Sequence, residues 1–189
     1  MKKLFHKKIA IISGTALMLL ASGCENLGPT TAMPPVKDFN IKRYMGRWYE
    51  IARLPHNFES GVIDAQVDYT LLSDGTIEVV NSGIQNGVIT SAHAVARPAD
   101  INSNTGELEV SFFYPFYSTY KIIYLNGDYT LAIVTGDSID YAWILARKPV
   151  ISRSELAMCL EMLKKWGFAV KLLQYPSGMV ESLTLDKAR

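Results

Sequence analysis

Histidine, serine and acidic side chains are the first candidates for covalent chemistry in this chain of 189 residues. There are three histidines, His6, His56 and His93, and the last two stand 37 residues apart, a spacing that defines no shared face. Ser138 lies between Asp137 and Asp140. With His93 and one of those acids it could form a nucleophile, a base and an orienting group. No Gly-x-Ser-x-Gly elbow frames Ser138, and there is no His-Glu-x-x-His pair and no glycine-rich phosphate loop. Ser138 reads more simply as part of a loop. The residues therefore offer no catalytic group and no metal site, and no cofactor is expected. A tetrapyrrole held by His93 is the one cofactor alternative, and a lipid-modifying hydrolase is the enzymatic one.

Non-covalent chemistry is better represented. Val67, Tyr69 and Leu71 fall on one face of an alternating stretch, and Leu108, Val110 and Phe112 on one face of another. Tyr120, Ile122 and Tyr124 alternate in the same way, as do Tyr141, Trp143 and Leu145. Facing inward, Val67, Tyr69, Leu71, Leu108, Val110, Phe112, Tyr120, Ile122, Tyr124 and Trp143 would line an apolar pocket carrying phenolic hydroxyls. Such a lining suits an acyl chain with a polar head. The competing reading is that these side chains simply fill a core. The phase follows from a period of two, which a single bulge inverts.

The elements that would hold these side chains are strands. Gly46–Arg53 opens the series with a Gly-x-Trp step and ends before Pro55. Strands are expected at 64–72, 76–82, 88–97, 107–114, 116–125, 129–135 and 141–147. Asp74-Gly75, Asn86-Gly87 and Asn126-Gly127 mark tight hairpins between them. Eight hairpin-linked strands can abolish free edges by closing into an antiparallel up-and-down barrel, wide enough for side chains or one small ligand. A two-sheet sandwich is the alternative. Helical periodicity appears only after Pro149. Ser152 and Glu155 form a capping box, Leu156, Cys159, Leu160 and Leu163 make an apolar stripe, and Gly167 closes the end. One amphipathic helix over 154–166 should pack outside the sheet, with a short last strand within 168–175.

The amino terminus reads as an address. Lys2, Lys3, Lys7 and Lys8 precede the apolar run Ile9–Leu20, which is short for a bilayer span. Ala21, Ser22, Gly23 and Cys24 follow. Removing residues 1–23 leaves 15 basic against 18 acidic side chains, a net charge of −3, which argues against a nucleic-acid partner. Residues 24–35, with three prolines among Asn26–Pro35, read as a flexible tether. The folded domain is expected over 36–189. With Cys24 modified, Cys159 has no thiol partner, and its apolar helical position reads as a buried, inert group.

The small residues before Cys24 resemble a bacterial lipoprotein signal. That resemblance implies cleavage after Gly23 and acylation of Cys24 with diacylglycerol and palmitate. Glu25 stands where an Asp would imply retention at the inner membrane, so the outer membrane of a Gram-negative cell, on its periplasmic face, is the implied site. The barrel resembles the lipocalins at three places: Gly46-Arg47-Trp48, Thr135-Gly136-Asp137 with Asp140-Tyr141, and Arg147. The stretches WYEIARLPHNFE, VSFFYPFYSTY and DYAWILARKP are similar to the bacterial outer-membrane lipoprotein lipocalins of the Blc type. The resemblance implies that Gly46, Trp48 and Arg147 close the barrel base, with Arg147 stacked on Trp48. It implies binding of a fatty acid or lysophospholipid for membrane maintenance under stress, without enzymatic activity. Tyr114 and Ser118-Thr119 depart from the glycines usual in that group, which leaves the shape of the ligand open. A closed barrel acting through a protein partner is the alternative, and a homodimer is left open.

Overall fold

The computed structural model describes residues 33–56 and 61–175. The expected signal segment and Cys24 lie outside the described residues. Eight strands run antiparallel in chain order: β1 (Gly46–Arg53), β2 (Val62–Leu71), β3 (Ile77–Gln85), β4 (Val88–Pro98), β5 (Glu107–Phe113), β6 (Phe116–Leu125), β7 (Leu131–Thr135) and β8 (Ala142–Ala146). Each bonds to its predecessor and β8 bonds to β1, so the sheet closes as a barrel. A one-turn helix α1 (Ile41–Tyr44) precedes it, a feature not expected from the sequence. Helix α2 (Arg153–Lys165) follows, then a 3₁₀ turn at Val170–Leu172.

Turn chemistry accounts for most boundaries. Asn86 and Gly87 have φ of 53° and 77°, the paired left-handed conformations that match strand twist in a two-residue hairpin. Asn126 behaves differently. Its side chain accepts from the backbone N–H of Thr130 and of Leu131, at 2.7 and 3.0 Å, and Tyr129 is left-handed. The turn therefore runs longer than a hairpin pair, and β7 starts at Leu131 rather than 129. The expected last strand is a 3₁₀ turn with one bridge, Arg53 to Gln174. At α2 the Ser152 hydroxyl accepts from Glu155 N–H, and the Glu155 carboxylate accepts from Ser152 N–H, so the capping box forms.

Two apolar clusters result. One fills the base of the barrel interior with Tyr44, Trp48, Ile77, Leu108, Ile122 and Val134. The other lies between the barrel wall and α2, where Leu156, Cys159 and Leu163 meet Ile51, Ile133 and Ile144. β7 is buried along its whole length because the two clusters cover its two faces. Met33, the first described residue, is buried in the outer cluster.

Candidate functional site

The barrel has two unlike ends. At the base, Asn40 caps α1 by accepting from Arg43 N–H. The chain then turns into β1 through Gly46, whose φ of +88° is a conformation side chains disfavour. Trp48 points into the interior, fully buried, and its indole N–H donates to Tyr44 O at 2.8 Å. The Arg147 guanidinium lies 4.0 Å from the centre of the Trp48 ring. It donates to the carbonyls of Arg43, Tyr44, Met45, Arg47 and Tyr129 at 2.7 to 3.2 Å. These carbonyls belong largely to the short α1 and the turn after it, which lack helical partners.

Above this plug sits a chain of phenols. Tyr120 Oη is 2.7 Å from Tyr44 Oη and 2.8 Å from Tyr69 Oη. Burial first, and then the neighbouring phenols, push Tyr44 and Tyr120 well above the usual tyrosine range. The Tyr44 and Tyr120 hydroxyls are therefore neutral at physiological pH and act as hydrogen-bonding groups.

Tyr69 and Tyr120 form the floor of a cavity of about 730 Å³ that occupies the other half of the barrel. Its deeper wall is apolar, with Val67, Val79, Ala96, Leu108 and Leu145. Polar groups gather towards the other end of the strands, including Gln85, Ser82, Thr90, Ser118 and Asp137. The space exists because β3 and β4 present small residues there. Gly83, Ala92 and Ala96 line the cavity where larger side chains would fill it. Gly83 has a second reason: a Cβ there would lie 2.5 Å from Val62 Cγ1 and 2.9 Å from Ile63 O, where β2 bulges.

Glu50 brings a buried carboxylate to the cavity wall, ion-paired with buried Arg53. Residues three apart on a regular strand face opposite sides. The bulge between Glu50 and Ala52 lets this pair meet. Arg53 also donates to Val62 O at 2.8 Å, tying β1 to the start of β2. This pair was not anticipated from the sequence; the mixed polar-apolar run at 50–53 was the available sign.

The pocket residues expected from alternation divide into three groups. Val67, Tyr69, Leu108, Val110, Phe112, Tyr120 and Trp143 line the cavity. Leu71 and Ile122 face inward but belong to the base cluster, below the floor. Tyr124 is a correction: it faces outward, with its hydroxyl 3.7 Å from Met158 Sδ of α2. The β6–β7 register shifts between Ile122 and Tyr124, so the alternation inverts there. His93 stands exposed on β4, paired in register with Val80. Ser138 lies in the turn between β7 and β8 and donates to Asp140 at 2.9 Å. His93 faces out of the barrel, in opposite phase to the inward Ala92 and Ala94, so no Ser138–His93 pair is assembled. His56 is half-buried with its ring 5.2 Å from Trp143.

The barrel is closed at one end and holds a cavity in the other half. Residues 39–177 match the model of the lipocalin-like domain. The chain is a lipocalin. It is 38% identical to the outer membrane lipoprotein Blc of Vibrio cholerae, over 83% of this chain and 92% of that one. It is 34% identical to the protein of that name in Escherichia coli K12, over 86% and 92% of the two chains. Temperature-induced lipocalin-1 of Arabidopsis thaliana is also 34% identical, over 75% and 80%. Among solved structures, insecticyanin from the tobacco hornworm Manduca sexta superposes with a TM-score of 0.64 at 19% identity, over 77% of this lipocalin and 84% of that chain. That likeness concerns the fold.

Proposed function

We propose that this lipocalin holds one single-chain lipid, a fatty acid or lysophospholipid, in the cavity above Tyr69 and Tyr120. It does so without covalent chemistry, while fixed to the periplasmic face of the outer membrane by acylated Cys24. The carrying observation is the cavity itself, about 730 Å³, with an apolar deep wall and polar groups towards one end. That size lies within the range of small-molecule sites, and the polarity gradient suits an acyl chain inserted tail first. The names of the bacterial relatives, outer membrane lipoprotein Blc, support the membrane address, and the proposed role there is maintenance of the envelope under stress. A barrel packed shut around side chains is disfavoured by the same cavity.

The test is native mass spectrometry of the chain starting at Glu25, which keeps every described residue. Titration with lysophosphatidylethanolamine should give a saturable one-to-one adduct that oleate displaces. A folded sample that takes up neither lipid overturns the reading.

A further inference from the structure

Five large apolar side chains stand in water at one end of the barrel. Val88 is 66% exposed, Ile89 83%, Phe113 80%, Tyr114 85% and Phe116 77%. They occupy two hairpin turns, β3 to β4 and β5 to β6, that alternation of strand direction puts at the same end. This is the cavity end: Phe113 and Phe116 line the cavity as well as the outer surface. At the opposite end the exposed large apolar residues among the described residues are Leu72, Ile101 and Val150, on three separate segments. Exposure of this size costs solubility and, when clustered, marks a contact surface.

We propose that this rim inserts into a lipid bilayer, so that the barrel mouth faces the membrane and the ligand passes between bilayer and cavity without crossing water. The proposal extends the carrier reading by giving the lipid its source. Three features select a lipid surface as the occupant. The residues project from turn tips, a convex arrangement that a fluid bilayer accepts and a complementary protein surface must be shaped to receive. Tyr114 adds a ring with a hydroxyl, the kind of side chain that rests at an interface. The turns at 86–89, 113–116 and 136–141 carry Asp137 and Asp140 and no Lys or Arg, so the attraction is apolar rather than electrostatic.

The tether permits this orientation. Met33, the first described residue and part of the outer cluster, stands nine residues after Cys24. A chain of that length spans at most about 30 Å. Val36 bonds to Ile122 on β6, six residues from the rim at Phe116, a rise of about 20 Å. An anchor at Cys24 can therefore share a bilayer surface with the rim.

Flotation of the chain starting at Glu25 with phosphatidylethanolamine vesicles tests this without help from the acyl anchor. The protein should float with the vesicles, equally with and without phosphatidylglycerol and at high salt. Val88→Ser with Ile89→Ser, and separately Tyr114→Ser, should each lower the bound fraction about tenfold. None of these three residues lines the cavity, so the lysophospholipid adduct should persist. Ile101→Ser at the closed end should change nothing. Resistance of Cys159 to thiol reagents confirms that each variant is folded. The proposal falls if the protein stays in solution, if the rim variants float as well as the parent, or if binding needs anionic lipid and low salt. It also falls if the rim instead drives a concentration-dependent dimer that the same substitutions abolish. Loss of the lysophospholipid adduct with flotation intact would overturn the carrier reading and leave the docking surface standing.

Discussion

The Arg147 guanidinium carbon lies 4.0 Å over the Trp48 ring while its nitrogens donate to five backbone carbonyls at the base of the barrel. One side chain therefore joins the end of β8 to α1, to the start of β1 and to the turn before β7. Only a planar fork can reach carbonyls in several directions and still present a flat face to an indole. Arg147→Lys should keep the charge yet lose most of these bonds, lowering stability by about 2 kcal/mol. Arg147→Ala should cost about 3–4 kcal/mol, since it also strands the carbonyls. Urea denaturation gives both values. Equal stability of the lysine variant and the parent would show that charge alone matters at this position.

The Glu50–Arg53 pair is buried on both sides, so its removal is unequal from the two ends. Glu50→Ala leaves the guanidinium buried without its carboxylate and should cost about 3–5 kcal/mol. Glu50→Ala combined with Arg53→Met should recover part of that loss, because neither member of the pair is left buried without the other. A double-mutant cycle by denaturant melts measures the coupling. Additive losses would mean that the two side chains do not depend on each other.

The strand order and the closing of the barrel were legible because hairpin signals and period-two alternation agree over most of the chain. Asn86-Gly87 shows this best, with both residues in the left-handed conformation its turn type needs. Legibility failed at the bulges. Alternation from Tyr120 points Tyr124 inward, but the register shift after Ile122 turns it towards α2. Glu50 was missed for the same reason, since its partnership with Arg53 exists only because β1 bulges. The floor of the cavity was hidden differently. Leu71, Ile122 and Tyr69 share the inward phase, and periodicity carries no depth. What separates Tyr69 from the two below it is the phenol chain reaching down to Tyr44, a contact across the barrel that no local pattern encodes.

The phenol chain makes stability fall at high pH. Burial holds Tyr44 and Tyr120 well above the usual value of about 10. Below that pH both folded and unfolded chains keep these protons, and the contribution is flat. Above it the unfolded chain releases protons that the fold retains, so stability declines by about 1.4 kcal/mol per pH unit for each phenol. Tyr44→Phe removes one such group and should flatten the decline by that amount. Urea melts at pH 9, 10 and 11 check it. An unchanged slope in Tyr44→Phe would place the alkaline sensitivity elsewhere.

Cys159 supplies a readout of the outer cluster. It is fully buried on the inner face of α2, and burial, with a smaller contribution from Glu155, pushes its thiol up to about 12. Reaction needs the thiolate, so both access and ionisation protect it in the fold. In the chain starting at Glu25 it is the single cysteine. A thiol reagent at pH 8 should therefore modify nothing in native buffer and one group in denaturant. Because α2 must leave the barrel wall to expose it, the labelling rate in native buffer measures that opening. Glu50→Ala and Arg147→Ala act on different walls, and their effects on this rate should differ. Glu50→Ala disturbs β1, which carries Ile51 of the outer cluster, and should speed labelling beyond what global unfolding explains. Arg147→Ala, acting at the base, should speed it only in proportion to its loss of stability. Rapid labelling of the parent protein would show that α2 is not held to the barrel as the packing of Leu156 and Leu163 requires.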